Sequence, residues 1–460
     1  MVAILQQLRT ITGNAVSYRR VNSSNVILRR LNIGIPLSSV FPRGPKRCFP
    51  ANPDMEAVMR DRLLSRSFRV AITILISAII LTTIAWAQST EKVLSKFPGA
   101  SPQGLLNWDA QGHLYGNLAT GTNVTRTGTV FELKQGSKGL WTKKVLYKFT
   151  GASDGGWPNG GMIFDGTGNL YGTGAAGGDV GDGVVFELVS GPNNTWTEQV
   201  LHSFSGTDGS LPSAGLIFDS AGNLYGTTAF GGTSQGTVFE LTPGPGGWTE
   251  KILHSFTEAE GLNPSGTLAF DSSGNLYGTT FRAGPHNGGS VFQLTPGQNG
   301  TWTLHTLHAF CTKANCADGS TPAGGLVADK KGNFYGTTRE GGAVPGCANG
   351  CGTIFELGHK ADGSWTHKVL YSFRNGSDGV VPSDDLAIDG SGNLFGTTSN
   401  PRGTAFELLL GPNNTRTFKL LYTFCSLANC ADGQGPQGVI LDPAGSLFGL
   451  TSSLAFEITP

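Results

Sequence analysis

Carboxylates at one recurring position are the first candidates for chemistry in this chain. Asp154, Asp208, Asp318, Asp378 and Asp432 each precede a glycine, and Glu260-Gly261 makes a sixth copy. Matched carboxylates around one mouth would hold a cation or orient a sugar hydroxyl. Asp-Gly also closes a tight turn through the aspartate side chain, and that is the simpler reading. A second acidic series lies in "FEL": Glu132, Glu187, Glu240, Glu356, Glu407 and Glu457, with Gln293 once. General acid–base work needs two groups in unlike environments. A symmetric set at one strand position points instead to architecture, such as a carboxylate bonded to neighbouring backbone.

Six of the seven cysteines form three close pairs: Cys311 with Cys316, Cys347 with Cys351, and Cys425 with Cys430. An even count in an exported chain reads as disulfides, with pairing inside each couple the simplest arrangement. Their spacing also resembles half a zinc site, but no second Cys or His pair matches it. His202, His254 and His308 stand where other copies carry Tyr147, Tyr371 or Tyr422, which is amphipathic packing rather than proton transfer. "ADGSWT" (361–366) resembles an Asp-box turn, a structural device. There is no nucleophile elbow, P-loop, zinc-protease helix or dinucleotide fingerprint. No catalytic residue, metal ligand or cofactor site is assigned.

The elements that must position these residues repeat. The aromatic-Gly anchor of "NLYGTT" occurs at Tyr115, Tyr171, Tyr225, Tyr277, Tyr335, Phe395 and Phe448, at spacings of 52–60 residues. A period of that size marks propeller blades with long loops. Each copy holds four strand-like pieces bounded by Gly, Pro and Asn. In one copy they are "GLIFD" (215–219), "NLYGTT" (223–228), "GTVFEL" (236–241) and "WTEKILHSF" (248–256). The "DxxGN" link between the first two suits a tight hairpin.

Third and fourth strands each number seven but run out of phase. The body opens on a fourth strand at Lys92 and closes on a third strand at Ile458. A ring of blades must close or leave exposed flanks. The fold predicted is therefore an all-β, seven-bladed propeller of four-stranded blades, in which an N-terminal strand completes the C-terminal blade in a 3+1 arrangement. Fourteen phenylalanines, one per third strand (Phe131 to Phe456) and one per fourth strand end (Phe97 to Phe424), are the expected core.

Charge divides the chain. Residues 1–87 hold 12 Lys or Arg against 3 acids, leaving 20 basic and 29 acidic residues beyond. So acidic a body excludes nucleic-acid binding. Residues 59–87 read as a signal peptide: basic "MRDRLLSRSFR", apolar "VAITILISAIILTTIAWA", then an Ala85-Trp86-Ala87 cleavage pattern. Left uncut, that segment would be the chain's one membrane attachment. Residues 1–58 precede it as a non-structural extension, with Met55 or Met59 the expected start, and the propeller is assigned to 88–460.

"GNLYGTT…GG…GTVFEL" with the trailing "W…VLHSF…DG..P" resembles the Gloeo-Verruco (GloVer) tandem-repeat family over about 92–460. The resemblance implies an exported bacterial protein, often of the choice-of-anchor kind, and brings no enzymatic activity. This sequence stops at Pro460, two residues after its last strand, so release to the periplasm or medium is expected.

Function is expected in the variable loops between second and third strands, which share a face with the fourth-to-first connections. Arg282, His286, Arg339, Glu340 and Arg402 are the visible departures from the pattern there, too scattered to name a mechanism. The chain is expected to act as a monomeric, non-enzymatic binding or scaffold module for a glycan or surface protein. The alternative is a polysaccharide lyase or hydrolase working at the channel mouth.

Overall fold

The computed structural model describes residues 89–460 apart from 122–124, 234, 345, 383, 400 and 401. The extension, the signal segment and Cys48 lie outside the described residues. Among those described there is no α-helix; short 3-10 turns are the only helical elements.

Seven four-stranded antiparallel sheets form a ring of blades. Blade 1 is Ser101–Trp108, Leu114–Ala119, Gly128–Gln135 and Trp141–Phe149, from the inner strand outward. Blade 3 is Ile217–Phe218, Leu224–Thr228, Thr237–Gly244 and Gly247–Ser255. In blades 2, 4 and 5 the inner strand is split, as in Gly156–Pro158 and Ile163–Phe164, both pairing with Leu170–Ala176. Blade 7 takes Gln437–Leu441, Leu447–Leu450 and Leu454–Thr459 from the C-terminal end, and Thr90–Lys96 from the N-terminal end. The two ends pair antiparallel, with Val93 opposite Phe456, and the Phe97 N–H donates to the Ser453 carbonyl at 2.8 Å. The predicted 3+1 closure is the observed one.

Each outer strand carries a β-bulge at the same place. In blade 2, Val200 pairs with Phe186 and His202 with Val185, leaving Leu201 as the extra residue. A bulge sharpens the local twist and turns an additional side chain inward. In "QVLHSF" (199–204) Val200 packs on the cluster between blades 1 and 2 and Leu201 on the cluster between blades 2 and 3.

The hydrophobic interior is not one core but seven layers, one at each blade interface. Between blades 2 and 3, Tyr171, Val185, Leu201 and Phe204 pack on Leu216, Leu224, Phe239 and Leu241. Every blade therefore buries both faces, and adjacent strand residues such as Val185 and Phe186 are both inaccessible. All fourteen expected phenylalanines are buried.

The repeated phrase explains itself in atoms. A Cβ on Gly226 would lie 2.6 Å from the Phe239 ring, so "LYG" needs glycine for the "VFEL" phenylalanine beneath it. Asp219 Oδ1 accepts from the Ala221 and Asn223 N–H groups, both at 2.9 Å, which folds the hairpin turn. Its Oδ2 accepts from the Tyr225 hydroxyl at 3.1 Å, and that hydroxyl also reaches Glu240 Oε1 at 2.7 Å. The "FEL" glutamate is thus architectural as expected, but its partner is a tyrosine hydroxyl rather than backbone. The Tyr225 ring meets Phe270 and Trp302 of blade 4 edge-on. Second-strand threonines add a further tie to the next blade: Thr173 Oγ1 donates to the Ala214 carbonyl and Thr279 Oγ1 to that of Gly324, each at 3.0 Å.

Closure makes a prediction. Phe97 on the N-terminal strand is 1% exposed and its ring lies 4.9 Å from Phe131 of blade 1. Phe97→Ala should cost about 3–5 kcal/mol, as for any fully buried Phe. Chemical denaturation should show that loss, whereas an unattached N-terminal strand would show almost none.

Candidate functional site

The recurring Asp-Gly carboxylates sit at the outer-strand end of their connections, each locked into its own turn. Asp432 is fully buried and accepts from the Ser426 N–H at 2.8 Å and the Leu427 N–H at 3.2 Å. Asp154, Asp208, Asp318 and Asp378 accept backbone N–H groups in the same manner, and Glu260 takes the Thr257 N–H at 2.9 Å. Burial alone would raise the Asp318 carboxyl; the Thr312 hydroxyl and the backbone N–H groups outweigh it and hold Asp318 below the usual carboxylate range. Among the described residues no two of these six carboxylates meet in one cluster of possible metal ligands, and none lines the axial cavity.

That cavity, about 380 Å³, is bounded by the start of the inner strand in all seven blades. Six blades present short, uncharged sequences there, such as "PNGG" (158–161), "PSAG" (212–215) and "PAGG" (322–325). Blade 6 alone presents "PSDD", placing Asp384 and Asp385 on the axis. The Thr337 hydroxyl of blade 5 donates to the Asp384 carbonyl, and the Thr397 hydroxyl of blade 6 to Asp384 Oδ2, both at 3.3 Å. The Gly325 N–H donates to Asp385 Oδ1. Neighbouring in sequence, the two side chains are held towards opposite sides, Asp385 by blade 5 and Asp384 by blade 6.

Burial pushes Asp384 up to about 6, and the Asp385 charge adds to the effect. The Gly438 N–H, the Thr397 hydroxyl and the Arg339 guanidinium pull it partly back. Burial likewise raises Asp385.

Arg339 joins the axis to the loop face. Its guanidinium lies 5.6 Å from the Phe281 ring centre, and that of Arg282 lies 5.1 Å from the same ring. Two arginines from neighbouring blades, 57 positions apart in sequence, therefore converge on one aromatic ring. Beside them opens a second cavity of about 760 Å³, bordered by His286, Glu340 and two disulfide loops. All three cysteine pairs are bonded as expected: Cys311–Cys316, Cys347–Cys351 and Cys425–Cys430. Arg402 stands apart, donating to the Cys425 carbonyl at 3.4 Å.

The repeat is recognised as such. The model of the Gloeobacter/Verrucomicrobia repeat matches residues 82–249 and 192–405. The chain belongs to the Gloeobacter/Verrucomicrobia repeat family. No curated protein matches it in sequence. Among solved structures it is similar to the extracellular domain of the B. thetaiotaomicron protein BT4673, assigned to a one-component or hybrid two-component system. That match has a TM-score of 0.49 at 11% identity, over 81% of this chain and 40% of that one. This chain therefore spans about two fifths of that relative's length. It is also similar to a Dyadobacter fermentans protein of unknown function (TM-score 0.43, 12% identity, 81% of this chain and 98% of that chain). A third is a mutant α-L-arabinofuranosidase of Fusarium graminearum in complex with an iminosugar inhibitor (TM-score 0.42, 12% identity, 81% and 98%).

The Gloeobacter/Verrucomicrobia repeat accounts for most of the side chains described above, and Asp384, Asp385, Arg282 and Arg339 are departures from it. Arg282 and Arg339 were legible as departures; Asp384 and Asp385 were not. Aligning the copies on the proline that opens each inner strand exposes "DD" at once.

The Asp384 carboxyl is raised above its unfolded value of about 3.9. Folded protein therefore loses stability as pH climbs from about 4 through about 6, and keeps the deficit above. Asp384→Asn should raise the melting temperature near pH 8 and leave it almost unchanged near pH 4. Equal shifts at the two pH values would contradict a titrating Asp384.

Proposed function

We propose that this chain is an exported, non-enzymatic binding module whose loop face recognises a hydroxyl-rich ligand, a glycan, in the sector of blades 4 to 6. One observation carries the reading. Three charged residues that depart from the repeat come together in this sector: Arg282 and Arg339 meet on Phe281, and Arg339 is within electrostatic reach of Asp384 on the axis.

The chemistry suits a sugar. Carboxylates accept from paired hydroxyls, guanidinium groups donate in a fixed fork, and an aromatic face packs on C–H groups. The three disulfides support an oxidising compartment outside the cytosol.

A second reading rests on Asp384 itself. A carboxyl held near 6 beside a second carboxyl is the arrangement a general acid requires. An extracellular glycosidase or lyase with its site at the channel mouth would use it.

A glycan array on the purified chain, followed by a turnover assay on the glycans that bind, separates the two. We expect binding without turnover. A charged hydrogen bond is worth about 1.5–3 kcal/mol, so Arg339→Ala or Asp385→Asn should weaken binding by roughly tenfold or more, with the fold intact by circular dichroism. Turnover abolished by Asp384→Asn would establish the enzyme instead. Unchanged affinity in both binding variants would move the site elsewhere.

A further inference from the structure

Around the rim, the end of each outer strand, the connection after it and the outer strand of the next blade enclose a slot. Between blades 2 and 3 the slot holds His202, Asp208 and Glu250. One ligand atom from each lies within 4.8 Å of the other two. His202 Nε2 and Asp208 Oδ2 are 3.0 Å apart. Glu250 Oε1 is sealed from solvent and has no hydrogen-bond partner.

Supporting contacts orient the other two groups. The Ser205 N–H donates to Asp208 Oδ1 at 2.8 Å, which leaves Oδ2 facing the slot. The His202 ring is held edge-on against Phe204 at 4.7 Å. Such second contacts fix metal ligands in known sites. The His202 and Asp208 side chains keep 19% and 22% of their surface exposed, so an ion and a water have a way in.

The sister slots show what is particular here. Between blades 1 and 2 the corresponding residues are Tyr147, Asp154 and Glu198, and the Tyr147 hydroxyl donates to Asp154 Oδ2 at 3.2 Å. That slot has no imidazole. Between blades 4 and 5 the residues are His308, Asp318 and His367. The two imidazoles there stack 3.8 Å apart and parallel within 1°, so their nitrogen lone pairs run side by side and cannot converge on one ion. Among the described residues the His202 slot is the only cluster of three or more His, Cys, Asp or Glu that could hold a metal.

We propose that His202, Asp208 and Glu250 bind a divalent transition-metal ion that pins blade 2 to blade 3. One nitrogen and two oxygens from protein, with water in the fourth position, are a ligand set that Zn²⁺ accepts. Ligand atoms around a tetrahedral zinc with bonds of about 2.0–2.2 Å stand roughly 3.3–3.6 Å apart, close to the His202–Asp208 spacing. The ion would also neutralise two carboxylates drawn together at a half-buried interface.

The test uses Zn²⁺ alone on the full chain after chelation, followed by metal analysis and titration calorimetry, with Co²⁺ as a spectroscopic replacement. His202→Tyr and Glu250→Leu copy residues that the repeat itself uses, Tyr147 and Leu304, and should fold. We expect one Zn²⁺ per chain, tetrahedral Co²⁺ bands, and a melting temperature lowered by chelation. Both variants should bind at least tenfold more weakly and melt at the same temperature with or without chelator. No stoichiometric uptake by the wild-type chain, or unchanged uptake in either variant, overturns the site.

Discussion

Everything in this molecule depends on the fact that each blade can cover its apolar faces only with its two neighbours. No blade has a core of its own; the buried clusters lie between blades. A closed ring covers both faces of every such sheet, whereas an open array of them would expose one face at each end. The pairing of Thr90–Lys96 with Leu454–Thr459 provides that closure and joins the two ends of the propeller in one sheet.

The recurrent polar residues serve the same closure. Asp219, Tyr225 and Glu240 form one hydrogen-bonded group, and the tyrosine ring seals the seam to the following blade. Apart from Asp208, whose Oδ2 faces the His202 slot, the Asp-Gly carboxylates are used up on turn N–H groups. A group already satisfied by its own scaffold has little left for a ligand. The sector of blades 4 to 6 differs because its charged side chains are absent from the pattern and have been gathered by the ring itself.

The ring was readable from sequence because its signals are local and repeated. Strand limits follow from Gly, Pro and Asn punctuation, blade number from the 52–60 residue period, and closure from the phase offset between Lys92 and Ile458. Other features depend on distance across the fold. The tyrosine partner of Glu240 lies on the adjacent strand. Arg282 and Arg339 look scattered in sequence and meet on the Phe281 ring only because blades 4 and 5 are neighbours in the ring. The Asp-Gly carboxylates were expected near the channel mouth, yet their connections start at the outer strand, and the carboxylate stays at that end to cap the N–H groups there. Asp384 and Asp385 were hidden by being read one copy at a time.

We place function where the sevenfold repeat is broken. Hydrogen–deuterium exchange with and without a bound glycan tests that placement directly, since protection marks the face that the ligand covers. Protection is predicted for peptides containing 281–286, 339–350 and 384–385, and not for the matching peptides of blades 1 to 3. Protection spread evenly over all seven blades, or confined to the DxxGN turns of the opposite face, would contradict it.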